Sequence, residues 1–485
     1  MIDPSSAGLF PLNSGKPDRT LLWDDNSQRW QTERELRAQI LELAAHLEAP
    51  EKQLVFLLAH NRVDVLAALL AAAAAGHAVA LIDPNLAADR IENLLACYRP
   101  DVVIGLNEVE WMRGTAHSSA NWQTSQVSRL TFAHRKDRGA SLQIAPELLL
   151  LLLTSGTTGS SKFVRLSGNA VAANARQIAS SLSLDDESVA IAHLPLHYSY
   201  GLSVVTSHLA AGGRIAMLDD SVTSPTFWSK VDACGGTHFP GVPFHYTVLA
   251  RLGFNVVPSS IDTFTQAGGH LDTRIQKSIL EKAAERNARS FVMYGQTEAA
   301  PRMTTLPHDK LHGKLGSVGI AMPGGKVSVV DLDGNTLPAD ATGAIVYEGP
   351  NVMMGYAEGR DDLSAGDTSH GRLETGDLGW LDSEGYLFLS GRAARFAKIA
   401  GLRLSLDDIE KAIAHLGPAA CIDRGERIIV GFENVVPNGA KEEIKAIAQA
   451  CKIPSTSFAL RAWPGIPRKS NGKIDYAKVR ELADV

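Results

Sequence analysis

The chain has 485 residues, which at roughly 150 residues per domain predicts about three globular units. Hydrophobic residues make up 45% and charged residues 21%, a mixture that excludes long disorder and supports a large core without disulfide staples. With 47 Lys and Arg against 53 Asp and Glu the net charge is −6, which argues against a nucleic-acid partner.

The segment MIDPSSAGLF has no basic region followed by an apolar run, so it does not read as a signal peptide, and a cytoplasmic protein is expected. Gln53–Ala59 predicts a strand and Val63–Ala75 an alanine-rich helix. This apolar stretch contains Asp64 and is interrupted by Gly76-His77, so it reads as a buried helix running into a strand and not as a membrane span. Ala78–Ile82 is then a strand, Ala87–Tyr98 a helix and Asp101–Ile104 a strand. The alternation predicts an α/β fold with a mostly parallel sheet covered by helices. Leu148–Leu153 is wholly apolar, as expected of a central buried strand feeding a glycine loop. From Gly316 to Leu389 short strands alternate with glycine turns, which predicts a β-rich unit. Beyond Gly391-Arg392 come a strand at Phe396–Ile399, a helix at Leu406–His415, a strand at Arg427–Phe432 and a helix at Lys441–Ala450. The expected domains are therefore 1–391 and 392–485. Cys97, Cys234, Cys421 and Cys451 are widely spaced with no CxxC pair, so reduced thiols are expected.

The densest chemical signal follows the apolar strand: Thr154-Ser155-Gly156-Thr157-Thr158-Gly159-Ser160-Ser161-Lys162. Glycines permit a sharp turn, while hydroxyls, free N–H groups and one lysine can surround phosphate oxygens. It is not a Walker A loop, because no GK[ST] follows. His193 and His197 have metal-like spacing, but Pro195 breaks the helix that would align them. Leu315-Gly316-Ser317-Val318-Gly319 lacks the first glycine of a serine-hydrolase elbow. Arg395, Lys398 and Arg403 form a small basic cluster that reads as solvated charge.

The loop resembles the phosphate loop of the adenylate-forming enzymes, the superfamily of acyl-CoA synthetases, adenylation domains of nonribosomal peptide synthetases and luciferases. Further motifs follow in that family's order. Leu194-Pro195-Leu196-His197 is similar to the segment bearing a gate beside the acyl pocket. Gly268-Gly269 resembles the glycine pair along the adenine, Tyr294-Gly295-Gln296-Thr297-Glu298 the YGxTE motif, and Thr375-Gly376-Asp377 the ribose-binding TGD. Gly391-Arg392 resembles the domain junction, and Lys398, Gly401 and Glu410 resemble positions that follow it. Asn471-Gly472-Lys473-Ile474-Asp475 resembles the terminal motif with the catalytic lysine.

The resemblance implies a large N-terminal domain of two α/β subdomains plus a β-barrel-like subdomain, with a small mobile α+β C-terminal lid. It implies a carboxylic acid ligase in which a carboxylate attacks the α-phosphate of ATP, releasing pyrophosphate and leaving an acyl-adenylate. Coenzyme A is the expected acyl acceptor, with an amine or a carrier-protein thiol as alternatives and a nucleotide-binding homologue without turnover as a further one. By the same resemblance, Ser155, Thr157, Thr158 and Lys162 hold the leaving phosphates, with Thr154, Gly156 and Gly159 completing the loop. Thr297 contacts the α-phosphate, and Glu298 helps hold Mg²⁺. Asp377 and Arg392 bind the ribose, and Lys473 bridges the carboxylate and the nucleotide. His197, Phe239, Gly241, Val242, Phe244 and Tyr246 are the expected acyl-site residues, with His238 and His245 flanking them. The segment THFPGVPFHY carries no carboxylate and predicts a hydrophobic or aromatic acid. Three departures from the family pattern stand out: Ser161 and Phe163 around the loop lysine, Ala394 after the junction arginine, and His197 near where amino-acid-activating members place an aspartate.

Overall fold

The structure, a computed structural model, describes residues 16–106, 121–137, 143–153, 162–331, 333–392, 395–399, 402–425, 427–451, 453–468 and 474–483. Two large sheets carry most of the chain. The eight-stranded one has at its centre the parallel strands Val102–Leu106, Leu54–Leu58, Ala78–Ile82 and Leu148–Leu153. All but the last residue of the leucine run Leu148–Leu153 are buried, as expected of an interior strand. Antiparallel strands flank this centre. The hairpin Trp122–Val127 and Leu130–Arg135 closes one side, and Phe163–Ser167 with Gly355–Ala357 closes the other. The helices Val63–Ala74 and Ala88–Tyr98 connect the parallel strands as the apolar spacing predicts.

The thirteen-stranded sheet has a parallel half, built from Thr20–Asp24, Arg214–Met217, Val189–Ala192, His238–Gly241, Thr263–Gln266 and Arg289–Gly295 in that spatial order. Arg29–Thr32 pairs antiparallel with Thr20–Asp24 at one edge, and the β-rich stretch supplies most of the other half. Antiparallel strands Arg302–Leu306, Ser317–Ala321, Leu387–Arg392, Arg372–Leu381, Gly343–Glu348 and Lys326–Val330 extend the sheet from Arg289–Gly295 outward. Chain order reverses direction at Val189–Ala192, which has Arg214–Met217 on one side and His238–Gly241 on the other. In such sheets ligands sit beyond the carboxyl ends of the strands at this switch.

The last strand of the large sheet ends at Arg392, where its backbone pairs with Asp377. Beyond it lie a hairpin, Phe396–Ile399 with Leu402–Ser405, and a three-stranded sheet of Ala419–Asp423, Ile428–Glu433 and Phe458–Trp463. The helices Leu406–Ile413 and Ala440–Ala450 pack on it through their own buried set, which includes Ile409, Ile413, Ile444 and Ala448. Arg395 is not the solvated charge expected from its neighbours in sequence. It pairs with Asp407 and, at 2.7 Å, with Glu410, and its guanidinium stacks 3.7 Å from the Tyr476 ring centre. Arg395 thus ties the first strand of this unit to its helix Leu406–Ile413 and to Tyr476.

Among the described residues no helix is long and apolar enough to cross a membrane. None of the four cysteines is in a disulfide.

Candidate functional site

The carboxyl ends of four neighbouring strands of the large sheet lie side by side, and a strand of the other sheet ends close to the first of them. Val189–Ala192 runs into His193–His197, His238–Gly241 into Val242, Thr263–Gln266 into Gly268-Gly269, and Arg289–Gly295 into Gln296-Thr297-Glu298. On the other sheet, Ala78–Ile82 runs into Asp83. Asn61 fastens the two sheets together: its amide nitrogen donates to the Leu194 carbonyl at 3.0 Å, and its oxygen accepts from the Leu196 N–H at 3.0 Å. His197 sits at this seam with its Nε2 3.6 Å from an Asp83 carboxylate oxygen. Burial lowers its pKa despite Asp83, and its Nδ1 has no hydrogen-bond partner among the described residues. A neutral imidazole donates from one ring nitrogen and accepts at the other.

Asp377 is 6% exposed, on the antiparallel strand Arg372–Leu381. One of its oxygens accepts from the Tyr294 hydroxyl at 2.5 Å and from the Gln296 amide at 2.7 Å. Gln296 also donates to the Thr375 carbonyl at 2.7 Å. Two motifs far apart in sequence, YGQTE and TGD, are therefore one hydrogen-bonded unit. Gly295 is required by packing: a Cβ there would lie 1.8 Å from the Pro301 carbonyl oxygen. Thr297 places its hydroxyl 3.1 Å from that of Ser199, the first residue of the helix Ser199–Ala211.

Glu298 accepts from the Tyr356 hydroxyl at 2.9 Å, and the Lys162 ammonium lies 3.8 Å from the Tyr356 ring centre. Tyr356 thus links the end of the phosphate-loop motif to the acidic residue of YGQTE. Sequence reasoning passed over it; the only local signal was a Gly-Tyr pair in a short strand. Among the described residues no three His, Cys, Asp or Glu side chains cluster to hold a metal. A lone carboxylate with hydroxyls nearby still fits Mg²⁺, which is commonly held by one carboxylate together with substrate phosphates and water. His193 holds no metal partner either: it stacks on Phe239 with centroids 5.1 Å apart and meets the His245 ring at 3.4 Å.

Gly268 has φ +85°, and a Cβ there would lie 2.4 Å from the Tyr198 hydroxyl. Gly269 is less confined, its Cβ position being 3.3 Å from Pro243. Gly268→Ala should destabilise the protein by about 1–2 kcal/mol, from the left-handed backbone penalty and displacement of Tyr198. Urea denaturation of both proteins checks this, and an unchanged midpoint would mean that the segment relaxes freely.

The residues expected at the acyl site divide by strand alternation. Phe239 is fully buried in an aromatic cluster with Phe227, Trp228 and Phe264, and Gly241 faces the Tyr246 ring. Tyr246 is buried and donates to the Thr265 carbonyl at 2.8 Å. Phe244 is 47% exposed, and Val242 is buried beside Gly268. On the opposite face, His238 and Pro240 line a small cavity with Tyr200, Thr265, Met293 and Arg302. Thr154, Ser155, Gly156, Thr157, Thr158, Gly159, Ala394, Gly401 and Lys473 lie outside the described residues. Lys398 pairs by backbone register with Arg403 in the hairpin.

A protein-family model described as AMP-binding enzyme matches residues 12–357. A 2-succinylbenzoate--CoA ligase of Bacillus cereus (strain ATCC 10987 / NRS 248) is 29% identical over 352 residues, covering 70% of this chain and 71% of the relative. The ligase of the same description from Bacillus mycoides (strain KBAB4) is 29% identical over 355 residues, with 70% and 71% covered. Among solved structures, ATP-bound MatB from Rhodopseudomonas palustris superposes with a TM-score of 0.79 at 22% identity, covering 98% of both chains. The o-succinylbenzoate CoA synthetase (MenE) from Bacillus subtilis in complex with the acyl-adenylate intermediate OSB-AMP gives 0.76 at 21%, covering 98% of this chain and 97% of that one. At these identities the two structures establish the fold, a large N-terminal domain followed by a small C-terminal one.

Proposed function

The chain belongs to the AMP-binding enzyme family, and on that premise we propose that it is an ATP-dependent carboxylic acid ligase that forms an acyl-adenylate and pyrophosphate and then transfers the acyl group to coenzyme A. The observation that carries this reading is the unit Tyr294–Gln296–Asp377, set beside Thr297 and Glu298 where the parallel strands end. Asp377 is a buried carboxylate already oriented by two donors, as recognition of paired ribose hydroxyls requires. Arg392, opposite it in the strand pairing, is the assigned second ribose contact.

The chemistry assigned to each residue follows from charge. A carboxylate and a polyphosphate repel, and their approach must be offset by cations and oriented dipoles. Lys162 and the loop Thr154–Gly159 take the leaving phosphates. Thr297 offers its hydroxyl to the α-phosphate. Glu298, steadied by Tyr356, supplies an oxygen to Mg²⁺, which neutralises phosphate charge when bound. Lys473 comes from the C-terminal domain to bridge the two reacting anions. His197 and Val242 border the acyl side, and Gly268 and Gly269 lie along the adenine. Lys398 and Gly401 belong to the face presented to coenzyme A.

The relatives named as 2-succinylbenzoate--CoA ligases support a small acid and a thiol acceptor over an amine or a carrier protein. A panel of carboxylic acids assayed for pyrophosphate release with hydroxylamine, and then with coenzyme A in its place, tests the reading. Acid-dependent pyrophosphate in both formats is expected. Release that coenzyme A fails to sustain, while an amine sustains it, would reassign the second step.

A further inference from the structure

Tyr356 stands between the two opposite charges of the proposed phosphate site. The Lys162 ammonium lies 3.8 Å from its ring centre, and its hydroxyl donates to a Glu298 carboxylate oxygen at 2.9 Å. Among the described residues Lys162 and Glu298 make no ion pair with each other. All three side chains are partly open to solvent, Tyr356 being 38% exposed, so a ligand can reach them.

The backbone around this ring is held from three sides. Tyr356 pairs with Val164, two residues beyond Lys162, where Gly355–Ala357 meets Phe163–Ser167. The Glu298 carbonyl accepts from the Met353 N–H at 2.8 Å, which joins the segment before Tyr356 to the YGQTE motif. Arg165 is 2% exposed and directs its guanidinium at carbonyls of the same segment, donating to Tyr356 at 3.1 Å and to Met354 at 3.0 Å. Gly355 has φ +119°, and a Cβ there would lie 2.4 Å from the Thr368 hydroxyl oxygen and 3.0 Å from an Arg165 nitrogen. Backbone this constrained sets where the ring projects.

Opposite charges that share one small site attract, and a direct Lys162–Glu298 pair would compete with the nucleotide. The lysine would no longer face phosphate oxygens, and the carboxylate would no longer face a cation. An aromatic face gives the ammonium a weaker partner that phosphate displaces readily, and one hydrogen bond leaves the carboxylate further lone pairs. We propose that Tyr356 is a positioning residue that insulates Lys162 from Glu298, so that the cation for the leaving phosphates and the oxygen for Mg²⁺ reach the nucleotide unpaired. The proposal rests on the ligase reading and adds to it a residue outside the motifs that carried the resemblance.

The test measures ATP binding by calorimetry, in EDTA and in Mg²⁺, with Kd fitted apart from the number of sites so that a reduced folded fraction drops out. In EDTA, Tyr356→Leu should weaken ATP binding roughly three- to tenfold, because Lys162 is drawn to Glu298. Tyr356→Phe keeps the ring and should stay within about twofold of wild type in EDTA. In Mg²⁺ it should lose roughly three- to tenfold, where the hydrogen bond to Glu298 counts. Adding Glu298→Gln should tighten ATP binding in EDTA at least about threefold more on the Tyr356→Leu background than on wild type, since only there does Glu298 hold Lys162. A merely structural role for Tyr356 gives no such rescue. Equal gains on the two backgrounds, or a Tyr356→Phe loss in EDTA beyond about threefold, overturns the proposal, and the second criterion stands even if Tyr356→Leu yields no folded protein. No ATP binding by wild type in either condition overturns the ligase reading and the proposal with it, whereas binding without the rescue leaves the ligase reading intact.

Discussion

Lys473→Ala should lower pyrophosphate release from ATP and acid by about 10²–10³-fold while largely sparing consumption of a supplied acyl-adenylate by coenzyme A. Its ammonium is assigned to the moment when a carboxylate and an α-phosphate approach, so its benefit belongs to that transition state. In the second step the acid is already neutralised as a mixed anhydride, and that need is gone. The flanks of its motif, Arg468 and Ile474, pair as an antiparallel bridge. The family resemblance implies that the lid rotates between steps and presents the face around Lys398 and Gly401. Gly401→Leu should then do the reverse, blocking thioester formation while trapped pyrophosphate release persists. Separate assays of the two half-reactions check this. If both variants lose both steps equally, rotation does not describe this protein, and Ala394 at the junction is the first residue to examine.

Asp377→Ala should raise the apparent KM for ATP by roughly ten- to over a hundredfold. A carboxylate accepting from ribose hydroxyls makes charge-assisted bonds, whose loss costs about 1.5–3 kcal/mol. Asp377 also anchors Tyr294 and Gln296, so alanine leaves two donors without their acceptor and removes some stability as well. Asp377→Asn separates these effects. It keeps the shape and part of the hydrogen bonding but not the charge, so unfolding should move less than with alanine while the ATP requirement still rises. Titration of initial rates against ATP, with urea denaturation alongside, is the measurement. An unchanged ATP requirement in both variants would leave Asp377 as an anchor for the YGQTE segment only.

Much of the fold was legible in the sequence because it is written in short-range patterns. Ala78–Ile82, Leu148–Leu153 and Phe396–Ile399 form strands over the predicted residues, and Val63–Ala74 ends one residue before its predicted limit. Wholly apolar runs of five or six residues require a strand buried on both faces, and helical spacing requires a helix with one face inward. The flanking strands Trp122–Val127, Leu130–Arg135 and Gly355–Ala357 were not anticipated, being short or largely polar, and they make the smaller sheet less parallel than expected.

By itself the sequence determined which residue types follow the parallel strands, the pair Gly268-Gly269 and the segment Gln296-Thr297-Glu298, in motifs that resemble those of a nucleotide site. What tertiary structure decided is whom those residues meet. Tyr294 and Asp377 are 83 positions apart and share a hydrogen bond; Glu298 and Tyr356 are 58 apart and do the same. Strand alternation sent Phe239 into an aromatic core and His238 toward a cavity, and burial made Arg302, an ordinary basic residue in the sequence, an interior cation whose Nε has no hydrogen-bond partner among the described residues. The physical reason is range. Periodicity records which face of an element leaves water, because that is settled within a few turns or pleats. Which group waits on the far side depends on strand order and register, fixed by the collective packing of the whole domain.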